Sequence, residues 1–234
     1  MNKQRIWELD AFRGICILGM IVVHAVLDIK GFGSTGNAVF DFVREWGSLL
    51  FILISGICLT LGSKSLRRGL IVFAAGMLCT LVTWGMYKVG MEGEGIIIRF
   101  GILHCLGLCM IIGSVQKHMP KWVVLLLAAA LIALGFYVKG VSTDCAWLFP
   151  LGIVRPDFSS SDYFPLLPNL GYFFVGIFLG RTLYAEKRSL MPKVNSSAAP
   201  IRFLSWCGRQ SLFIYLLHQP IVYGLLELVL ALQK

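Results

Sequence analysis

Seven stretches of this chain are dominated by apolar residues, and its polar residues gather in the gaps between them. The stretches are Ala11–Ile29, Trp46–Gly62, Leu70–Tyr87, Ile102–Val115, Trp122–Tyr137, Leu166–Leu183 and Ser211–Leu232. A hydrocarbon core of ~30 Å needs about 20 apolar residues in a helix, and only Ile102–Val115 falls well short without its flanks. Charged residues make up 14% of the chain, against roughly 25% in soluble domains. The pattern predicts an all-α integral membrane protein, a bundle of about seven transmembrane helices in a single domain over residues 1–234.

The basic residues fix the predicted topology. With the N-terminus in the cytoplasm, the inner side holds Lys3, Arg5, Arg13, Lys64, Arg67, Arg68, Lys117, Lys121, Arg181, Lys187, Arg188, Lys193, Arg202 and Arg209. Most of the acids fall on the other side, among them Asp28, Asp41, Glu45, Glu92, Glu94, Asp144, Asp157 and Asp162. The positive-inside bias alternates at every loop, which predicts a cytoplasmic N-terminus and an external C-terminus in the cell's inner or plasma membrane. A net charge of +9 distributed in this way marks topology, and no nucleic-acid partner is expected. MNKQR before the first apolar run has no small-residue cleavage site after it, so a retained first helix is expected. Glu186–Arg202, with Pro192, Ser196, Ser197 and Pro200, reads as a flexible inner linker. Lys139–Pro165, rich in aromatics and serines, reads as an outer segment lying on the membrane or capping a cavity.

Within the first apolar stretch stand Arg13 and His24. Ionisable groups inside a membrane helix are costly and are functional candidates. Eleven residues at ~100° each bring His24 to within about 20° of the Arg13 face, some ~16 Å along the axis. Asp10 lies three residues before Arg13 and can hold its side chain. Asp28 lies one turn beyond His24 and can orient the imidazole as a carboxylate does in a catalytic triad. Snorkelling to lipid phosphates is the plain alternative for Arg13, and a bond to a neighbouring helix is the plain alternative for His24.

Two further segments carry polar groups at membrane depth. In RFGILHCLGL, His104 opens the fourth helix near the depth inferred for His24, a candidate second wall of one cavity. In GRQSLFIYLLHQP, Ser211, Tyr215 and His218 share a face, and Pro220 predicts a kink near Leu216. A structural hydrogen-bond cluster is the alternative there. His118, in a KHMPK turn, reads as surface. The seven cysteines show no metal-ligand spacing, and only Cys145 is placed in an outer loop, so neither a metal nor a disulfide framework is expected. No phosphate-binding loop, nucleophile elbow or dinucleotide fingerprint is present, and Ser55 has no base beside it.

ELDAFRGICILGMIVVH, FILISG, FGILHCLGL, DYFPLLPNLGYFFVGIFLGR and SLFIYLLHQPIVY, in this order, resemble the transmembrane acyltransferase superfamily. They are most similar to the bacterial branch related to the catalytic domain of heparan-α-glucosaminide N-acetyltransferase, over roughly residues 5–225. The resemblance implies an acyl group, acetyl above all, carried on cytoplasmic acyl-CoA and delivered to an external hydroxyl or amine, with a sugar or glycan as acceptor. It places Arg13 at the coenzyme's phosphates and the thioester at His24. The animal heparan enzyme has asparagine where His24 stands and a histidine in the following loop. Here that loop, Lys30–Glu45, has none, so the base role falls to His24, assisted by Asp28, with His104 or His218 orienting the acceptor or binding the oxyanion. The competing readings are a small membrane transporter using a histidine-lined cavity, and a non-catalytic scaffold.

Overall fold

A computed structural model of the chain describes residues 5–30 and 37–232. It is helical throughout, with α1 (Trp7–Lys30), α2 (Ala38–Leu61), α3 (Ser65–Lys88), α4 (Ile102–Gly113), α5 (Lys121–Val138), α6 (Leu166–Thr182), α7 (Ala199–Arg209) and α8 (Ser211–Leu232). Short 3-10 turns at Glu94–Ile96, Ser114–His118 and Ala146–Leu151 join them. Among the described residues four helices, Trp7–Ile29, Ala38–Leu61, Ser65–Lys88 and Lys121–Val138, are long and apolar enough to cross a membrane. Large apolar side chains such as Leu81, Leu126, Phe136 and Phe213 lie exposed along the helices, as expected where lipid rather than water is the surrounding solvent.

The helices match the apolar runs, with two differences. α2 begins at Ala38, eight residues before the predicted Trp46, because Asn37 Oδ1 accepts the backbone N–H of Val39 at 3.0 Å and of Phe40 at 3.2 Å. That is an N-cap, which satisfies donors the first helical turn leaves open. α2 thus takes in the outer end of the predicted Lys30–Glu45 loop, of which residues 31–36 lie outside the described residues. The second difference is α7. The predicted linker Glu186–Arg202 ends in a helix, opened by Pro200 in its first turn and carrying Ser205, Cys207 and Gly208 on a buried face. α8 is helical from Ser211 to Leu232 with Pro220 inside it.

The chain forms two compact units. Unit 1 comprises residues 1–51 and 186–234. In it α1 packs on α7 and α8. The α1–α7 contact is backbone to backbone: a Cβ on Gly14 would strike the Leu204 carbonyl, and one on Gly208 would strike that of Asp10. Glu8 is buried, with its carboxylate accepting from Ser189 Oγ (2.9 Å) and the Leu190 backbone N–H (2.8 Å), while Ser205 Oγ donates to the Trp7 carbonyl. These three hydrogen bonds tie the start of α1 to residues 189–205.

Unit 2 comprises residues 52–185. α3 packs on α4, α5 on α6, and α4 on α6. The long segment between α5 and α6 folds onto the start of α4. Phe164 N–H donates to the Phe100 carbonyl at 2.9 Å, and Asp162 Oδ2 accepts the Ile102 N–H at 3.0 Å, a carboxylate at a helix N-terminus. Phe100, Phe149, Phe158 and Tyr163 form a ring cluster there. Burial pushes the Tyr163 hydroxyl up to about 12, and it donates to the Phe149 carbonyl at 2.6 Å. At the other end of α6, Arg181 donates to the carbonyls of Gln116 and Met119 and so holds the turn after α4.

Candidate active site

In unit 1, α1 and α8 meet at two levels. At the first, Arg13 Nη2 donates to Ser211 Oγ at 2.7 Å, and its guanidinium lies over the Phe51 ring, 5.4 Å from the centroid. Arg13 Nε is buried and has no hydrogen-bond partner among the described residues. At the second, the rings of His24 and His218 meet edge to face with centroids 5.0 Å apart. Beside this pair, Gln219 Nε2 donates to Asp28 Oδ2 at 3.2 Å. Both sets of contacts advance together along the two sequences, so α1 and α8 run in the same direction.

The tautomer of His218 follows from its neighbour. Its Nδ1 lies 2.5 Å from the Tyr215 carbonyl oxygen, which can only accept, so Nδ1 carries the proton and Nε2 the lone pair in the neutral ring. His218 is buried, with only 6% of its surface exposed. His24 is half-buried and Asp28 is exposed.

The two carboxylates expected to serve Arg13 and His24 sit differently from the simple helical pairing. Among the described residues no ion pair joins Asp10 to Arg13; the guanidinium turns to Ser211 instead, and the Asp10 backbone faces Gly208. Asp28 accepts a hydrogen bond from Gln219 of α8, and among the described residues no ion pair joins it to His24. Beside the Arg13 level lies an open cleft of about 390 Å³ lined by Arg5, Arg209 and Gln210. Two guanidiniums around such a space can receive phosphate oxygens in bidentate fashion.

His104 belongs to unit 2, and every polar atom of its ring is engaged there. Gly101 N–H donates to Nδ1 at 3.2 Å. Thr80 Oγ1 donates to the Ile98 carbonyl at 2.6 Å, so the 3.2 Å contact between Thr80 Oγ1 and Nε2 is donated by the imidazole. The ring stacks on Phe100 at 5.5 Å and meets Phe73 edge-on at 5.6 Å. His104 thereby caps α4 and ties it to α3. Cys105 and Cys109 are buried one turn apart on the same helix, with sulfurs 3.9 Å from each other. Among the described residues no group of three His, Cys, Asp or Glu side chains is arranged to hold a metal ion.

The sequence sets Arg13, His24, Ser211 and His218 on these two helices but not their pairing. The partnership of Arg13 with Ser211 and the contact of Gln219 with Asp28 depend on how α1 meets α8, for which the chain carries no local signal. Glu8 was likewise missed, although an acid beside an apolar helix start, with serines in the inner linker, was a trace of it.

Fold and site together define a helical membrane protein that sets a cation and a pair of imidazoles along one helix–helix seam. The family described as heparan-alpha-glucosaminide N-acetyltransferase, catalytic, matches residues 5–220, and the chain belongs to that family. No curated protein matches the sequence.

Proposed function

We propose that this protein transfers an acyl group, most naturally acetyl, from acyl-CoA on the cytoplasmic side to a hydroxyl or amine of a carbohydrate-type acceptor on the far side of the inner or plasma membrane. The observation that carries the reading is the two-level seam of α1 and α8. The Arg13 level and the His24 level lie ~16 Å apart on one helix, a separation an extended pantetheine arm can span, and each level is completed by α8.

The residues present suit the donor. Arg13 Nε is a buried cationic donor without an acceptor among the described residues, and the cleft of Arg5, Arg209 and Gln210 adds two more guanidiniums. Such a site favours a polyanion, with phosphate oxygens filling the open donor positions. Among the described residues of unit 1, the basic residues Arg5, Arg13, Lys187, Arg188, Lys193, Arg202 and Arg209 are read as inward-facing, which is the orientation that presents the site to cytoplasmic coenzyme.

At the other level His24 removes the acceptor's proton as the acceptor oxygen or nitrogen attacks the thioester carbonyl, and the coenzyme leaves as its thiolate. Asp28 stabilises the imidazolium that forms. His218, whose lone pair is on Nε2, orients the acceptor by accepting its hydrogen bond. His104, engaged at both ring nitrogens, holds the start of α4 in our reading and takes no part in proton transfer.

Purified protein supplied with acetyl-CoA and amino-sugar or sugar acceptors tests this reading. His24→Ala lowers transfer by about 10²–10⁴-fold while acetyl-CoA binding persists, and Arg13→Ala weakens that binding. Unchanged transfer by His24→Ala overturns the mechanism. Absence of acetyl-CoA binding by the unaltered protein overturns the transferase reading as a whole.

A further inference from the structure

We propose that the exposed face of α7 is a docking surface for anionic phospholipid of the inner leaflet, with Phe203 and Trp206 entering the lipid and Arg202 meeting its phosphates. The proposal does not rest on the transferase reading. The 11 residues of α7 extend about 16 Å, too short to cross a bilayer. Its buried face is taken up by α1. A Cβ on Gly208 would strike the Asp10 carbonyl, one on Gly14 would strike that of Leu204, and Ser205 Oγ donates to the Trp7 carbonyl. α7 therefore lies against residues 7–14, the first turns of a helix long and apolar enough to cross a membrane. Those turns are read as the cytoplasmic end of α1, which sets α7 at the depth of the inner headgroups.

The outward face of α7 has the make-up of an interfacial helix. Phe203 and Trp206 are one turn apart, 55% and 49% exposed, and their rings stack with centroids 6.5 Å apart and planes at 21°. Aromatic rings in this position are favoured at the level where headgroups meet acyl chains. Beside them Arg202 and Arg209 stand two turns apart on one edge, both exposed. Arg209 lines the cleft with Arg5 and Gln210, which leaves Arg202 to the bilayer. The segment leading into the helix carries the same sign. Lys187, Arg188 and Lys193 are exposed, and from residue 187 to residue 209 the sequence has five basic residues and no acid. An anionic leaflet attracts such a segment, and a guanidinium can take two phosphate oxygens at once. A protein occupant would have to supply an acidic rim and an apolar bed together. Anionic lipid supplies both, at the depth that α1 fixes.

The chain has six tryptophans, so the emission of Trp206 is read as the difference between the full-length protein and Trp206→Phe, checked with Trp206→Tyr. The proteins are reconstituted in bilayers of equal parts phosphatidylcholine and phosphatidylglycerol, with bromine on the acyl chains of one lipid or of the other as the quencher. Both brominated lipids quench Trp206, and their relative quenching gives an apparent affinity about fivefold higher for phosphatidylglycerol. The same subtraction in an Arg202→Gln background brings that ratio toward unity, whereas Arg202→Lys, which keeps the charge, retains a preference. Raised salt also lowers the ratio. Trp206 emission unaffected by either brominated lipid overturns the proposal, whether a second copy of the chain or water then covers the face. Equal quenching by the two lipids, or a preference that Arg202→Gln does not move, overturns the pairing of Arg202 with an anionic headgroup.

Discussion

Arg13 shows how a cation is kept in an apolar helix: one guanidinium nitrogen is bonded to Ser211, its face rests on Phe51, and Nε remains open among the described residues. The identity of such residues is legible in sequence because they are costly where they stand. Their partners are not, because hydrogen bonds of 2.7–3.2 Å between residues 191 to 198 positions apart depend on packing rather than on spacing. Tyr163 is the counterpart in unit 2. Its phenol is held neutral by burial, with its proton given to the Phe149 carbonyl. A raised folded value means that the stabilisation is complete below the usual tyrosine range and is lost as pH rises from about 10 to about 12. Alkaline titration followed at 295 nm will therefore show one late-ionising tyrosine that Tyr163→Phe removes, at a cost to stability of about 1 kcal/mol for the lost hydrogen bond.

At the level of elements, hydrophobic periodicity located the membrane helices because lipid-facing helices are apolar over most of their circumference. It failed at α7, whose exposed face mixes Arg202 and Arg209 with Phe203 and Trp206 and whose Pro200 and nearby serines read as linker. The buried face of that helix is defined by small residues, Ser205, Cys207 and Gly208, which carry little hydrophobic signal yet permit the closest approach in unit 1. Gly208→Ala will lower the melting temperature of the purified protein, with a loss of about 1–3 kcal/mol from forced separation of α1 and α7. Gly224→Ala, on the open side of α8 with nothing within 4 Å, leaves it unchanged or slightly higher. Equal effects of the two substitutions would show that the α1–α7 contact is not what Gly208 serves.

For the molecule as a whole, the proposed orientation makes a prediction that needs no substrate. Cys145 lies in the segment between α5 and α6 and is exposed, whereas Cys105, Cys109 and Cys207 are buried. A membrane-impermeant maleimide added to intact cells will label the protein, and Cys145→Ser will abolish that labelling; labelling only after the inner face is opened would invert the topology. The two units also differ in how they use the chain. Residues 52–185 form unit 2 as one continuous stretch, whereas unit 1 joins residues 1–51 to residues 186–234. Arg13 and Ser211 are 198 positions apart, and at ~5–20 residues per second that distance takes about 10–40 s to synthesise. During that interval α1 must reside in the bilayer with its cation and imidazole lacking the partners that α8 brings. Translation timing thus becomes a property of the site: a ribosome that stalls before Ser211 leaves a nascent chain with two solvation-starved groups, the kind of segment that membrane quality control removes.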